Sequence, residues 1–280
     1  MAAGCTMQPL LKLHVIASGS HGNASIVEDV RTGRGVLIDC GISKKTLFEG
    51  CESTGFNLAG LEAILVTHEH IDHTKGLGVA VRGLAKRGIS PALFANERVL
   101  AASPQVREAA DMLDVRPMKA TEGFSVAGID VQAFPTSHDA AFSCGFRLSV
   151  GDLDRPDDML GFITDTGVAT DEALAALRGV RTLALESNHD ARMLEQGAYP
   201  AHVKRRIASD RGHLSNDQAA EVLGRVVTDD LQQVVAMHIS ENNNTYGLPV
   251  RTLCNALEHL GLGEQVSVSA GYQKMPVVLR

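Results

Sequence analysis

The segment THEHIDH, residues 67–73, is the densest group of metal-binding side chains in this chain. It carries His68, His70, Asp72 and His73 directly after the apolar run EAILV. Imidazole and carboxylate groups are the usual protein ligands of zinc and related divalent ions. In extended backbone His68 and His70 point to the same side, because side chains alternate along a strand. If the chain then turns into a helix, Asp72 and His73 can reach a second point nearby, so the spacing favours two adjacent ions over one.

Other apolar runs also end on an acidic residue or a histidine, or lead into one within a few residues. The residues delivered in this way are Asp39, His68, His138, Asp165, Glu186 and His238. Ligand sites of α/β proteins gather beyond the carboxyl ends of the strands. We therefore expect these side chains, which are far apart in sequence, to converge at one edge of the structure.

The elements that must position these residues follow from the apolar pattern. Short β-branched runs predict strands at 11–17, 35–39, 62–68, 128–134, 160–165, 182–186 and 234–238. Helical patterns lie at 44–51, 75–87, 172–179, 218–227 and 250–260. Strands mixed with helices predict an α/β fold in which two interior sheets are covered by helices. No Pro/Ser-rich linker interrupts the pattern, so residues 1–280 are interpreted as a single domain.

Composition limits the classes of function. The chain has 280 residues, 44% of them hydrophobic, and a net charge of −7, so no global basic field attracts nucleic acid. The five cysteines are scattered without a C-x-x-C pair, which is typical of reduced thiols and indicates a cytoplasmic protein. The AAGC at 2–5 lacks the charged leader and apolar segment of a lipoprotein signal. No apolar run approaches the ~20 residues that span a membrane.

The chemistry that a two-ion site favours is hydrolysis. Two ions about 3.5–4 Å apart can share a hydroxide that acts as the nucleophile, and can clamp the oxygens of an ester or phosphodiester. Metal binding lowers the pKa of bound water toward ~7, so neither Ser nor Cys is needed as a nucleophile.

The chain carries, in this order, an early Asp, H-x-H-x-D-H, a later His, a later Asp and a final His. From Asp39 to His238 this order of motifs resembles that of the metallo-β-lactamase superfamily. The resemblance implies a four-layer αββα sandwich and two divalent ions, zinc or manganese. The ligands that it implies are His68, His70 and His138 for the first ion, Asp72, His73 and His238 for the second, and Asp165 bridging both. Asp39 is implied to support the ligand loop without binding metal.

The segment RGHLSNDQ, residues 211–218, combines a helix start with an unexplained histidine. Ser215 and Gln218 form the sequence pattern of a capping box. His213 lies just outside that helix. The segment resembles the H-x-S/T segment of the ribonuclease Z branch, and LALESNHD resembles its acidic partner. This resemblance implies that His213 is the general acid and that Glu186 orients it; Asp72 is counted with them as catalytic besides being a ligand.

Two segments offer contacts to a phosphate. Lys204, Arg205, Arg206 and Arg211 are clustered just ahead of the catalytic histidine in an otherwise acidic chain, and such a cluster can neutralise phosphates locally.

The second segment is SGSHGNAS, residues 18–25. Gly19 and Gly22 are expected to leave backbone amides free to face an anion, and Ser20 and Asn23 add side-chain donors. A tight hairpin turn has much the same composition.

The full motif set, including HISENNN after the last strand, resembles one bacterial branch of the superfamily. That branch consists of double-strand DNA exonucleases that act 5′ to 3′ and are linked to cell-wall regulation, which implies DNA as the partner. By this resemblance Asn243 and its neighbours line the cleft. A small-molecule thioester or lactone hydrolase on the same fold stays open as the alternative, and so does a non-enzymatic metal-dependent interaction module.

Overall fold

The computed structural model describes residues 9–152 and 155–280, so the AAGC segment with Cys5 lies outside the described residues. The strands are β1 (Leu11–Ala17), β2 (Ala24–Asp29), β3 (Arg34–Ile38), β4 (Leu61–Leu65), β5 (Ala92–Ala95), β6 (Val115–Pro117), β7 (Gly123–Val126), β8 (Ile129–Pro135), β9 (Cys144–Asp152), β10 (Arg155–Ile163), β11 (Thr182–Glu186), β12 (Gln233–Met237), β13 (Ser267–Ala270) and β14 (Val277–Leu279). The helices are α1 (Lys44–Thr54), α2 (Ile71–Thr74), α3 (Leu77–Ala85), α4 (Glu97–Ala102), α5 (Pro104–Ala110), α6 (Asp171–Leu177), α7 (Ala191–Gln196), α8 (Ala201–Ile207), α9 (Asn216–Val226) and α10 (Gly247–His259).

The described strands form two seven-stranded sheets. The first has the order β14-β1-β2-β3-β4-β5-β6 and the second the order β13-β12-β11-β10-β9-β8-β7. Within each sheet one half is antiparallel and the other parallel: β3 to β6 run parallel in the first sheet, and β10 to β13 in the second. Each sheet therefore places the carboxyl ends of several neighbouring strands along one edge, which is where a site can form.

The two sheets pack face to face and helices cover their outer faces. The layer between them is apolar and contains residues of both sheets, such as Val36 and Phe146. Leu47 of α1 and Leu84 of α3 pack on the first sheet, and α6, α9 and α10 pack on the second. This arrangement is the predicted αββα sandwich.

All seven predicted strands are present; those at 11–17 and 182–186 have the predicted bounds, and the other five have shifted ends. The strand predicted at 62–68 ends at Leu65, so His68 lies in the loop beyond it; the strand predicted at 160–165 begins at Arg155 and ends at Ile163. The helix predicted at 75–87 corresponds to α3, Leu77–Ala85, and the short helix α2, Ile71–Thr74, precedes it. The separation falls at Gly76, where a Cβ would lie 1.7 Å from the Ile42 carbonyl oxygen.

Seven strands were not predicted: β2, β5, β6, β7, β9, β13 and β14. Most of them have fewer than six residues, too few for a clear alternation. The exceptions are β2, with six residues, and β9, with nine. In β9 Phe146, Leu148 and Val150 are buried at every second position; this alternation is a strand signal that the sequence does carry.

The four described cysteines form no disulfide, and Cys40, Cys51 and Cys144 are buried. Among the helices of the described residues, none combines the length and the apolar character that crossing a bilayer requires.

The loop after β3 lies directly against the segment 67–73. The Cys40 amide donates to the His73 carbonyl oxygen at 2.8 Å, and the Gly41 amide donates to the Asn23 carbonyl oxygen at 2.8 Å. A Cβ on Gly41 would lie 1.6 Å from the Asp72 carbonyl oxygen. The position therefore accepts no side chain unless the backbone of the ligand segment moves.

We expect Gly41→Ala to lower the free energy of unfolding by about 3 kcal/mol or more, because it overpacks backbone against backbone. Chemical denaturation measures the change. The control is Gly224→Ala in α9, where a Cβ meets nothing within 4 Å and helix propensity predicts a gain of up to ~1 kcal/mol. Equal stability of the Gly41 variant and the wild type would contradict this account of the loop.

Candidate metal centre

The structure gathers the candidate ligands into one continuous cluster. Ligand atoms within 4.8 Å of one another form the groups His68–His70–His138, Asp72–His73–His238, His68–His73–Asp165, and Asp165–Glu186–His213–His238. Neighbouring groups share His68, His73, Asp165 or His238, so all four adjoin. The described strands thus bring these side chains together at one edge.

Asp165 lies between the two expected ion positions. Its Oδ2 is 3.2 Å from His73 Nε2, and its Oδ1 is 3.6 Å from His238 Nε2 and 3.8 Å from His138 Nε2. The histidines of 67–73 follow a strand of the first sheet, whereas Asp165, His138 and His238 follow strands of the second. The cluster therefore joins the two sheets.

The donor set fits a divalent cation. His68 Nε2 and Asp165 Oδ2 are buried and have no hydrogen-bond partner, and a buried polar atom without a partner is costly. Both belong to the same group of ligand atoms, and a cation bound there would satisfy both. Imidazole nitrogens combined with carboxylate oxygens suit zinc and manganese alike.

Asp39 lies behind the candidate ligand His73. It is 2% exposed, and its Oδ2 lies 2.7 Å from His73 Nδ1. Its Oδ1 accepts the Thr67 amide at 2.8 Å. Because Nδ1 of His73 donates to this carboxylate, Nε2 faces the cluster, the arrangement that orients ligating histidines in metal sites.

Three residues of this region have left-handed backbone although none is glycine. The φ angles are 59° for Asp39, 55° for Asp165 and 53° for His238. Each residue follows the end of its strand and turns its side chain toward the cluster. Such backbone is disfavoured for residues with a Cβ and concentrates at functional sites.

The protonation of the cluster follows from its charges. Burial opposes protonation of His73, but the carboxylates beside it, Asp165 first, raise its pKa well above the ordinary value. The same balance raises the pKa of His238 to about 9. Burial also opposes ionisation of Asp165, yet His238 and His73 hold its pKa well below the ordinary value. Burial, reinforced by the neighbouring imidazoles, lowers the pKa of His68, which stays neutral.

His213 and Glu186 form a hydrogen-bonded pair beside the cluster. His213 Nδ1 lies 2.7 Å from Glu186 Oε1. Glu186 is fully buried, and its Oε2 accepts the Thr166 amide at 2.8 Å. The His213 ring stacks on the ring of His238 with a centroid distance of 5.1 Å. The expected capping box is confirmed: Gln218 N donates to Ser215 Oγ at 3.2 Å, and Ser215 N donates to Gln218 Oε1 at 2.9 Å.

The predicted basic residues lie at the His138 side of the cluster. Arg211 donates from Nε and Nη2 to the His138 carbonyl oxygen, at 3.3 and 3.1 Å. Arg206, in the last turn of α8, donates to Asp139. Arg205 is exposed in the same turn. These side chains border the cluster at the surface.

The structure corrects the expectation for the segment 18–25. The Gly19 amide donates to Asn23 Oδ1 at 2.9 Å, and the Gly22 amide donates to the Gly19 carbonyl oxygen at 3.1 Å. These amides are therefore engaged within the loop and do not face an anion. Asn23 is buried, with Nδ2 3.0 Å from His73 Nε2, so it borders the metal cluster. Ser20 is exposed.

Asn243, which was expected to line the cleft, is buried. The residue is 2% exposed; its amide donates to Ser240 Oγ at 3.2 Å, and its carbonyl oxygen accepts the Asp190 amide at 2.9 Å. It ties the loop after β12 to the start of α7. Only Asn242 of the three asparagines is exposed, and it donates to the Tyr199 hydroxyl at 2.8 Å.

Three residues near the cluster were not identified from the sequence. Thr67 contacts both Asp39 and His68. Asn188 donates to the His238 carbonyl oxygen at 2.8 Å and lies 3.1 Å from His238 Nδ1. Asp139 Oδ1 is buried without a hydrogen-bond partner, 3.5 Å from His138 Nε2. All three stand next to predicted ligands or within the motifs described above, but only tertiary contacts distinguish them from ordinary polar neighbours.

The histidines and carboxylates cluster at the shared edge of an αββα sandwich. This combination defines the class of metal-dependent hydrolases built on two facing sheets. Residues 34–239 match the family model described as a beta-lactamase superfamily domain. The chain belongs to the metallo-β-lactamase superfamily, and it is a metal-dependent hydrolase.

Similar proteins specify the branch. The chain is 34% identical to exodeoxyribonuclease YycJ of Bacillus anthracis over 96% of this chain and 98% of that protein. It is 32% identical to exodeoxyribonuclease WalJ of Streptococcus pneumoniae over 90% of each. It therefore belongs to the same branch of the superfamily as these exodeoxyribonucleases.

Solved structures share the fold at low identity. The metallo-beta-lactamase fold protein YhfI of Bacillus subtilis superposes with a TM-score of 0.70 at 11% identity, covering 96% of this chain and 99% of that one. A diphosphatase of the PhnP family superposes with a TM-score of 0.65 at 17% identity, covering 96% and 97%.

The raised pKa of His238 predicts a pH dependence of stability in protein stripped of divalent ions with a chelator. A histidine whose folded pKa lies above 6.5 stabilises the fold below pH 6.5, and this contribution is lost as the pH rises toward about 9. His73 acts in the same direction. We expect the free energy of unfolding to fall by roughly 1–3 kcal/mol between pH 6.5 and 8.5, measured by urea denaturation.

The control for this prediction is His238→Gln, which should flatten the slope over the same range. The window ends at pH 8.5 because the buried thiols of Cys40 and Cys51, whose pKa burial raises to about 12, add their own dependence above it. Stability of the stripped wild type that stays constant or rises from pH 6.5 to 8.5 would show that the carboxylates do not dominate.

Proposed function

We propose that the protein is a phosphodiesterase that degrades double-stranded DNA as a 5′-to-3′ exonuclease, with His213 as general acid and Glu186 as the group that orients it. The observation that carries the proposal is the 2.7 Å contact between His213 Nδ1 and Glu186 Oε1 directly beside the metal cluster. The names of the two curated relatives supply the substrate class.

Two ions, zinc or manganese, would be held by the cluster. The first is assigned to His68, His70 and His138, the second to Asp72, His73 and His238, with Asp165 between them. When bound, such ions supply an activated water at neutral pH and positive charge for the phosphoryl oxygens. The seven side chains offer nitrogen and oxygen donors only, so the choice between zinc and manganese rests on availability and geometry.

His213 would supply the proton that the departing alkoxide needs. Its Nδ1 is engaged by Glu186, so the proton to be transferred sits on Nε2. Its side chain is 19% exposed, whereas that of Glu186 is 0% exposed, so a substrate oxygen can reach the imidazole but not the carboxylate. The Glu186 carboxylate, hydrogen-bonded to Nδ1, would stabilise the imidazolium before transfer and the correct tautomer afterwards.

The basic residues at the His138 side would hold the DNA backbone. Arg206 and Arg211 are fixed by Asp139 and by the His138 carbonyl oxygen, so both guanidinium groups remain close to the first ion position. Arg205 extends the positive surface along α8. A local group of this kind can bind phosphates although the net charge of the chain is −7.

A cytoplasmic location is part of the proposal. It gives access to DNA, and it keeps the four described free cysteines reduced.

We expect His213→Ala to lower kcat on 5′-phosphorylated duplex DNA with Mn²⁺ by about 10²–10⁴-fold, because the leaving oxygen loses its proton donor. The same variant should hydrolyse bis(p-nitrophenyl) phosphate at close to the wild-type rate, because p-nitrophenolate leaves without a proton. His70→Ala serves as the comparison, since loss of a ligand should impair both substrates.

The pair of substrates separates the hypotheses. If metal-loaded protein leaves both DNA and the simple phosphodiester intact while a thioester or lactone is cleaved, the protein is a small-molecule hydrolase and the proposal fails. Tight binding of a partner by metal-free protein, with no turnover by the metal-loaded form, would instead indicate an interaction module. A His213→Ala variant that loses both substrates equally would show that His213 is not the general acid.

The basic residues predict a salt dependence. In the triple variant Arg205→Ala, Arg206→Ala, Arg211→Ala, we expect KM for duplex DNA to rise. The plot of log(kcat/KM) against log[salt] should also become less steep, by about 0.9 in slope for each phosphate that is no longer neutralised. The control is Arg178→Ala, an exposed arginine just before β11 and therefore at the opposite end of the second sheet. Equal slopes for the triple variant and the wild type would place the DNA elsewhere.

A further inference from the structure

The hydroxyl of Thr67 lies between a metal-cluster imidazole and a buried carboxylate. Thr67 is 2% exposed. Its Oγ donates to Asp39 Oδ2 at 2.7 Å, and the same Oγ lies 3.0 Å from His68 Nδ1. The Thr67 amide also donates to Asp39 Oδ1 at 2.8 Å. The residue therefore engages both oxygens of the carboxylate and is held in one position.

These contacts determine where the proton of His68 lies. An ionised carboxylate only accepts hydrogen bonds, and a hydroxyl has a single hydrogen to give. Since the hydrogen of Thr67 Oγ goes to Asp39, this oxygen can only accept from His68. His68 Nδ1 therefore carries the ring proton, and the lone pair is on Nε2. That nitrogen is the buried one that has no hydrogen-bond partner and belongs to the ligand groups.

The same carboxylate oxygen also orients the second half of the cluster. Asp39 Oδ2 lies 2.7 Å from His73 Nδ1, which leaves His73 Nε2 toward Asp165 at 3.2 Å. Asp39 thus contacts His73 directly and contacts His68 through the hydroxyl of Thr67. His68 is assigned to the first ion and His73 to the second.

We propose that Thr67 is a positioning residue of the metal centre, which transmits the orienting effect of Asp39 to His68, so that one carboxylate prepares both ion positions. This inference rests on the two-ion centre of the proposed function. It assigns Thr67 a role in the affinity of one ion, and it explains how His68, with no carboxylate of its own against Nδ1, keeps the ligating tautomer.

The test compares three variants of the full chain. Thr67→Val keeps the shape of the side chain and removes the hydroxyl. Thr67→Ser keeps the hydroxyl. Thr74→Val is the matched control, because Thr74 is equally buried in the same segment but its hydroxyl donates to the backbone oxygen of His70 at 3.0 Å instead of to an imidazole.

Each protein is stripped with a chelator and titrated with Zn²⁺ against a chromophoric competitor. We expect wild type, Thr67→Ser and Thr74→Val to bind two ions with similar affinities. In Thr67→Val one ion should bind about 10–100-fold more weakly, the usual effect of losing a group that orients a metal ligand, while the other keeps its affinity. If wild type binds two ions and Thr67→Val binds both as tightly, this inference is overturned and the two-ion centre stands. If wild type binds no zinc, the centre itself is overturned, and the role of Thr67 with it.

A second measurement needs no folded Thr67→Val protein. Long-range ¹H–¹⁵N spectra of zinc-loaded wild type report which ring nitrogen carries the proton, and His68 is assigned by its absence in His68→Gln. A proton on Nδ1 with a metal-bound Nε2 supports the inference. A proton on Nε2 would overturn it whatever the titrations show.

Discussion

The electrostatic pairing of one buried carboxylate, Asp165, with imidazoles from both sheets is the constraint on which the rest of the structure depends. A carboxylate without exposure to water needs positive charge or donors close by. His73 and His238, 3.2 and 3.6 Å away, meet that need, and they follow strands of different sheets. The sheets are also joined by apolar packing and by separate polar contacts, such as the hydrogen bond from the Leu11 amide to Asp158 Oδ2 at 2.8 Å. The cluster therefore stabilises the alignment that it requires for metal binding.

Local backbone distortion is the consequence of that pairing. The chain must bend sharply after a strand for the next side chain to enter the cluster. Asp39, Asp165 and His238 lie at these bends and have left-handed backbone. Gly41 lies where the loop after β3 touches the ligand segment with no room for a Cβ. The energetic cost of this strained backbone is local, and the packing of the two covered sheets holds the strained residues in place.

The sequence predicted those features that depend on residue type and order along the chain. Apolar runs that end in Asp, Glu or His located the strand ends, and the spacing in 67–73 located residues of the candidate metal cluster. Features that depend on hydrogen-bond partners far apart in sequence were not predictable in this way. The loop 18–25 has the composition of an anion-binding turn, yet its amides are used internally. Asn243 stands beside an exposed asparagine but is buried, and its carbonyl oxygen accepts the amide of Asp190 just before α7. Thr67 is an ordinary polar residue in the sequence, and its position between Asp39 and His68 depends on three separate segments.

Besides their contacts with His138 and His238, His213 and Glu186 are held by contacts outside the candidate ligands. The segment after His213 is bound to the end of β11, since the Asn188 amide donates to the Leu214 carbonyl oxygen at 2.9 Å and Ser215 forms a parallel bridge with His189. Glu186 is the last residue of that same strand, so the strand fixes both partners at once. The capping box then holds the start of α9 against it. The pair is therefore supported both by the end of β11 and by its contact with the ring of His238.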